Sequence, residues 1–294
     1  MPPCCRLFPR IRARMSGKRY AELYRAASAV LPSAFEADLL FEAATGLRRY
    51  DLPLRGETLA PAEAEQALLA LCTRRAGGEP LQYLLGEWEF FGLPFLVGPG
   101  VLIPRADTEI LVETALALAP KKSHLQVLDL CSGSGCVAVA LAHSLPHAEV
   151  TAVELSAEAF FYLQKNIALN SVKVTAVKAD IAEYTPLLAA DIITCNPPYI
   201  SIAEMGGLQQ EVLREPHMAL CGGEDGLDFY RLLAKRYVAQ LAQGGVLCAE
   251  VGINQSRDVL AIFSAAGLTP IEIRSDFAGV ERVVAVRKEN GGEV

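Results

Sequence analysis

The apolar positions change period twice along the chain. Over 17–86 they recur every three or four residues, as in "KRYAELYRAASAVL" and "AFEADLLFEAATG", which predicts amphipathic helices. "APAEAEQALLALCTRRAGG" follows with Pro61 placed for a first turn and Gly77-Gly78 placed as a stop. This stretch reads as a small helical domain with no visible chemistry of its own. Residues 87–104, "EWEFFGLPFLVGPGVLIP", are aromatic and β-branched and are broken by Gly92, Gly98 and Gly100, the pattern of a hairpin and a linker. A helix "TEILVETALALA" opens next, with Asp107 or Thr108 as its N-cap.

From residue 105 to 290 the pattern is that of one further domain. Apolar strand-like runs alternate with helical ones: "QVLDL", "EVTAVEL", "KVTAVKA", "DIITCN", "GGVLCAEVG", "TPIEIRSDF" and "RVVAVRK". Only Ala278-Gly279-Val280-Glu281 joins the last two, too short for a parallel crossover. The expectation is an α/β fold: a seven-stranded, doubly wound, Rossmann-like sheet, mostly parallel with an antiparallel pair at the end.

Composition narrows the class. The chain has 294 residues, 52% hydrophobic and 21% charged, which is globular rather than disordered. Mean hydropathy is +0.27, yet no apolar run approaches the ~20 residues of a membrane span. A net charge of −7 argues against duplex DNA as the main partner. Eight cysteines stand mostly inside apolar segments, without paired C-x-x-C units, and the four histidines are scattered. No metal site is expected, and buried thiols of a reducing compartment, the cytoplasm, are. Residues 1–16 carry Arg6, Arg10, Arg12 and Arg14 and no acid. They are read as a disordered extension ahead of a start at Met15, with a targeting segment as the alternative.

Candidate chemistry begins at "VLDLCSGSGCVAVALA", a strand, a glycine-rich turn and a helix. Gly133 and Gly135 allow close backbone approach, and the helix start offers free amides. Glu154 ends the next strand, where a carboxylate can take ribose hydroxyls. Asp180 ends the third strand, either beside an adenine or as an ordinary turn acid. These features imply an adenosine ligand without choosing between NAD and S-adenosylmethionine.

"NPPY", Asn196 to Tyr199, decides between them. It ends the fourth strand, which a doubly wound sheet places beside the first, at the edge where ligands bind. The Asn196 side-chain carbonyl and the Pro197 backbone carbonyl form two acceptors for an –NH2 group. Pro198 fixes the turn, and Tyr199 is a ring to lie on a planar substrate. Such a clamp suits a conjugated nitrogen attacking a sulfonium methyl, where orientation supplies much of the rate. A NAD dehydrogenase would leave these four residues without a role.

In this frame the tetrapeptide resembles the amino-methyltransferases that use S-adenosylmethionine, which act on exocyclic amines of nucleic-acid bases or on a glutamine amide. "PLQYLLGEWEFFG" (80–92), "GVLIPRADTEILVE" (100–113), "EPHMALCGGEDGLDFYRLL" (215–233) and "ERVVAVRK" (281–288) look like the HemK/PrmC family, the methyltransferases of peptide chain release factors. The resemblance spans about residues 17–288. It implies a class I methyltransferase domain and methylation of the N5 nitrogen of the Gly-Gly-Gln glutamine in class 1 release factors. It further implies a monomer that does not bind nucleic acid directly, with the helical domain and hairpin helping to hold the release factor. Carried over by motif, Cys131, Ser132, Gly133, Ser134, Gly135, Glu154, Ile181 and Asn196 fall at cofactor positions, which Asp180 joins by its place at a strand end; Asn196, Pro197 and Tyr199 are the catalytic residues, and with Pro198 they form the substrate clamp. Two departures stand out: Cys131 where the family's turn often begins with Gly, and Ile181 where some relatives have an aromatic beside the adenine. The alternative is an N-methyltransferase on adenine or cytosine in DNA or RNA. Arg105, Asp107 and Glu109 are read as a helix start with a supporting role, residues 222–226 as a lid or an ordinary loop, Trp88 as hairpin core and His217 as structural.

Overall fold

The computed structural model describes residues 17–289; the expectation for residues 1–16 lies outside them. The described residues divide into two compact units, 17–86 together with 209–214, and 87–208 together with 215–289.

The first unit is helical: α1 (Tyr20–Ser28), α2 (Ala34–Thr45), the one-turn α3 (Leu52–Arg55), α4 (Ala62–Ala76) and α5 (Leu81–Leu85). The Ser33 hydroxyl accepts from the Glu36 amide at 3.2 Å to start α2, and Gly46, at φ 69°, ends it in the left-handed region. Pro61 stands at the N-cap of α4, just outside the first turn where the pattern put it. Leu23, Leu40, Phe41, Leu68 and Cys72 are fully buried. The buried guanidinium of Arg75 is forked onto Glu36 and also meets Glu211 at 2.7 Å. Residues 209–214 therefore fold with the helices, not with the domain of residues 105–290 to which the sequence pattern assigns them. That assignment rested on chain continuity, and an ion pair across 136 positions leaves no periodic signal.

The second unit begins with the hairpin β1 (Glu87–Phe90) and β2 (Leu93–Leu96). It is part of this unit and not a separate linker over 87–104, because Phe90 and Phe95 meet edge-to-face at 5.9 Å and are buried in the same core as the sheet. Trp88 packs beside Val97, Val101 and Ala159, as hairpin core. Next come α6 (Glu109–Leu118), β3 (Gln126–Leu130), α7 (Cys136–Ser144), β4 (Glu149–Glu154), α8 (Ala157–Leu169), β5 (Val174–Lys178) and β6 (Ala190–Cys195). The short α9 (Ile202–Met205), α10 (Asp228–Tyr237), β7 (Leu241–Glu250), α11 (Ser256–Ala265), β8 (Thr269–Ser275) and β9 (Glu281–Arg287) complete it.

The strand order is β5-β4-β3-β6-β7-β9-β8, parallel from β5 to β7, with β9 antiparallel to both neighbours. Both faces of the central strands are covered, which is why they read as continuous apolar runs. Val127, Ile192 and Val246 face α6, α7 and α8, while Leu128, Ile193 and Leu247 face α10 and α11. The order reverses between β3 and β6, so the loops after those strands share one crevice. Among the described residues no helix is long and apolar enough to cross a membrane.

Asn166 on α8 ties the hairpin to this crevice. It is fully buried. Its Oδ1 accepts from the Leu96 amide at 2.7 Å, and its Nδ2 donates to the carbonyls of Leu96 (3.1 Å) and Ser134 (2.9 Å). Replacing it by Ala leaves three backbone groups without this partner, the Ser134 carbonyl buried and the two of Leu96 half-buried. Asn166→Ala is expected to destabilise the chain by about 3 kcal/mol, measured as a shift in the denaturation midpoint of the full-length protein.

Candidate active site

β3 ends in a turn whose backbone is unusual from its first residue. Cys131 holds φ 57°, Gly133 55° and Gly135 83°. The last two are glycines, for which the left-handed region carries no penalty, whereas Cys131 pays a steric cost there. Close packing also requires Gly135 to be glycine: a Cβ on it would lie 2.4 Å from Leu163 Cδ1. Around Gly133 there is open space.

Glu154 closes the turn from β4. Its Oε2 accepts from the Gly133 amide at 2.7 Å and its Oε1 from the Ser156 amide at 2.8 Å. Burial raises its pKa while those amides pull it down. Each oxygen retains a lone pair for a ligand hydroxyl. Asp180 is a turn acid, its Oδ1 accepting from Ala182 N at 2.7 Å, and it also lines the cleft. Ile181 is buried against the core below α10, with its carbonyl held by the Tyr237 hydroxyl at 2.9 Å.

These residues enclose a two-lobed crevice. The larger lobe, about 670 Å³ with its open mouth, is lined by Cys131, Gly133, Glu154, Asp180, Ile181 and Asn196 among others. The smaller lobe runs under Leu102–Arg105 and includes Ser132, Ser134 and Asp129. Asp129 accepts from the Thr194 hydroxyl at 2.7 Å, yet its buried Oδ2 has no partner among the described residues. Desolvation pushes its pKa up to about 7. An apolar lobe ending in a carboxylate pair, joined to a narrow lobe with an unpaired buried carboxylate oxygen, fits an adenosyl group carrying a polar, amino-bearing tail.

Asn196 stands where the lobes meet and lines both. Its Nδ2 donates to the Thr108 hydroxyl at 3.1 Å. Neither its Oδ1 nor the Pro197 carbonyl receives a hydrogen bond from any described residue. Pro197 and Pro198 are buried. Pro198 reaches the larger lobe, while Pro197 and Tyr199 do not line it. The Tyr199 hydroxyl donates to Glu250 Oε1 at 3.3 Å, and its carbonyl accepts from Gln255 Nε2 at 2.9 Å. Its phenol pKa is raised by burial and by the neighbouring carboxylate.

The loop over 222–226 packs against the Asn-Pro-Pro-Tyr turn. The Gly222 amide donates to the Ile200 carbonyl at 2.8 Å. A Cβ on Gly222 would lie 2.6 Å from the Pro198 carbonyl oxygen, and one on Gly226 2.3 Å from that of Tyr199. The "PRADTE" side chains are ties: Arg105 pairs with buried Glu215, Asp107 with Arg282 at 2.8 Å, and Glu109 accepts from the Phe91 amide at 2.7 Å. Thr108 precedes α6 but caps nothing with its side chain; its hydroxyl serves Asn196 instead. Thr108, Glu250 and Gln255 were missed by the sequence reading. No local motif announces them, although the charge in "LCAEVG", at the end of an otherwise apolar strand, is a signal in retrospect.

The methyltransferase small domain family matches residues 106–223, and the PrmC N-terminal domain family matches residues 22–86. The catalytic domain of hMettl16 in complex with MAT2A 3'UTR hairpin 6 is similar in fold, with a TM-score of 0.56 at 17% identity over 75% of this chain and 83% of that one. The release factor glutamine methyltransferase of Geobacter sulfurreducens is 44% identical over 271 residues, covering 90% of this chain and 93% of the relative. That of Moorella thermoacetica is 40% identical over 269 residues, covering 90% and 95%. That of Bradyrhizobium diazoefficiens is 35% identical over 302 residues, covering 95% and 98%. With the glycine turn, the acid that ends β4 and the Asn-Pro-Pro-Tyr turn joined in one crevice, and with relatives matched nearly end to end, the chain belongs to the release factor glutamine methyltransferase family.

Proposed function

We propose that Asn196 and Pro197 hold the amide that this enzyme methylates, the N5 nitrogen of the glutamine in the Gly-Gly-Gln motif of a class 1 release factor. The observation that carries the reading is the pair of open acceptors. Asn196 Oδ1 and the Pro197 carbonyl are unengaged, while the other end of the Asn196 amide is anchored on Thr108. Two such acceptors match the two N–H bonds of a primary amide.

S-adenosylmethionine supplies an electrophilic methyl on sulfur when bound, and S-adenosylhomocysteine remains after transfer. The residues present fit it: Glu154 for the ribose hydroxyls, Ile181 and Asp180 for the adenine side, and the 131–135 turn with Asp129 for the amino-acid tail. An amide nitrogen is a poor nucleophile because its lone pair is shared with the carbonyl. By taking both N–H bonds, the clamp turns the amide so that the lone pair faces the cofactor lobe, and orientation replaces base strength. As the N–C bond forms the nitrogen becomes positive and one N–H proton becomes acidic. Asn196 Oδ1 and the Pro197 carbonyl stabilise that charge before the proton leaves to solvent. Tyr199, backed by Gly252 and anchored on Glu250, stacks on the planar amide.

The helical unit, in this reading, docks the release factor and the enzyme works as a monomer in the cytoplasm. No direct nucleic-acid contact is required. The alternative, methylation of adenine or cytosine, shares the clamp chemistry but lacks any observation of its own.

Four tests bear on the site. Labelled methyl is expected on an intact class 1 release factor, and absent from its Gly-Gly-Gln glutamine→Ala variant and from DNA. Asn196→Ala is expected to lower turnover about 10²- to 10³-fold while cofactor binding by calorimetry is retained. Label that survives loss of the glutamine, or that lands on DNA, rejects the assignment. Glu154→Ala frees the Gly133 amide and removes a ribose acceptor, so cofactor affinity should fall by about 10- to 100-fold. Cys131→Gly should bind cofactor at least as tightly as wild type, because it relieves a left-handed residue. Cys131→Val should bind it about tenfold more weakly, a β-branched side chain being least tolerated there; both are read by the same calorimetry.

A further inference from the structure

Glu250 is a buried carboxylate beside this site that lines neither lobe of the crevice. It ends β7, is 2% exposed, and carries two different hydroxyls against it. Tyr199 donates to its Oε1. Its Oε2 has no hydrogen bond among the described residues, and the Thr108 hydroxyl lies near enough to help hold the carboxylate ionised. Thr108 is itself 1% exposed. Its oxygen accepts from Asn196, so its own proton needs an acceptor, and the Glu250 carboxylate is a near one. The main chain of Glu250 is equally fixed, its carbonyl accepting from the buried Tyr230 hydroxyl at 2.8 Å.

We propose that Glu250 is the positioning residue of this active site: its carboxylate, acting through the Thr108 hydroxyl, decides which end of the Asn196 amide faces the substrate glutamine. The inference rests on the clamp reading above and deepens it. Asparagine is nearly symmetric in shape but opposite in hydrogen-bond sense at its two ends. The clamp works only with Oδ1 toward the substrate. An ionised Glu250 can only accept. It accepts a hydrogen bond from the Thr108 hydroxyl, which leaves Thr108 Oγ1 to accept from Asn196 Nδ2, and Oδ1 is turned outward. A protonated Glu250 can donate to Thr108. The threonine proton then points at Asn196, the amide turns over, and its NH2 meets the substrate NH2, donor against donor. One proton on a buried group reverses three hydrogen bonds in series.

The surroundings make that proton a physiological one. Burial drives the Glu250 pKa up to about 7, against the two hydroxyls and the charge of Arg282, which pull it down. Asp107, on the turn before α6, pushes it up, and Arg282 of β9 is shared between Asp107 and Asp276. Tyr230 on α10, Cys195 at the end of β6 and Cys136 on α7 also feel the Glu250 charge, and all three have pKa values raised by burial. Asp129 is the other carboxyl driven to about 7. It lines the narrow cofactor lobe, so its titration should appear in the cofactor KM, not in turnover.

The test is the pH dependence of kcat, with release factor and S-adenosylmethionine saturating, in wild type, Glu250→Gln, Thr108→Val, Thr108→Ser and Asn196→Ala. Wild-type kcat should fall as pH drops through about 7. Glu250→Gln should lose that acid limb and turn over about 10- to 100-fold more slowly at its plateau, with the cofactor KM unmoved. Thr108→Val, which keeps shape and removes the hydroxyl, should show the same loss, and Thr108→Ser should restore turnover. A Glu250→Gln enzyme that keeps the wild-type limb, or a Thr108→Val enzyme with full turnover, overturns the inference. If Glu250→Gln fails to fold, the threonine pair still decides. Loss in Asn196→Ala with no effect at Thr108 or Glu250 would leave the clamp standing without its relay, whereas full activity in Asn196→Ala would remove the clamp itself.

Discussion

Everything in the catalytic unit depends on the parallel register of β3 with β6, in which Leu130 stands opposite Cys195. These strands are remote in the chain, yet the residues that follow them, the glycine turn and the Asn-Pro-Pro-Tyr turn, must meet within a few ångströms. A parallel slip of one residue would carry side chains to the opposite face of the sheet. Two polar contacts prevent it. Near the crevice, the Thr194 hydroxyl bonds buried Asp129. At the far end, Asp191 of β6 accepts from the Gln126 amide at 3.0 Å and pairs with Lys122. Burying two carboxylates in a sheet is costly unless they are satisfied, and both are employed in holding one strand pair in one register.

Around that register the protein distributes roles by reach. β4 and β5 bring Glu154 and Asp180 to the larger lobe of the crevice. β7 brings Glu250 and the Gly252–Gln255 corner to the back of the clamp, where Gln255 Nε2 takes the Tyr199 carbonyl and its Oε1 accepts from the Gly252 amide at 3.0 Å. The loop after the clamp closes the remaining side with glycines, because any side chain there would strike its backbone. The ends of five strands, β3 to β7, thus fit together around one crevice.

The strands, their order of appearance and the antiparallel finish were legible because buried parallel strands are apolar throughout and turns are marked by Gly and Pro. The glycine turn, Glu154 and Asn196 were legible because their chemistry is local. Thr108 and Glu250 were not. A threonine before a helix reads as a cap, and only the three-dimensional partner shows that its hydroxyl is turned the other way. Residues 209–214 were hidden for a similar reason, since membership of the helical unit is decided by Arg75, a residue far away in the chain. What escapes a reading from sequence here is consistently a polar contact between distant segments, which has no period and no composition of its own.

Asn166 shows what such contacts mean for how this protein can vary. One amide satisfies an amide proton and a carbonyl on the hairpin and a carbonyl on the glycine turn. Aspartate has no donor to give, glutamine is a methylene too long for a packed site, and serine has too few bonds. The position is thus closed to stepwise substitution. Hairpin and turn are bound into a single evolutionary unit, so drift in the backbone of either must be matched in the other.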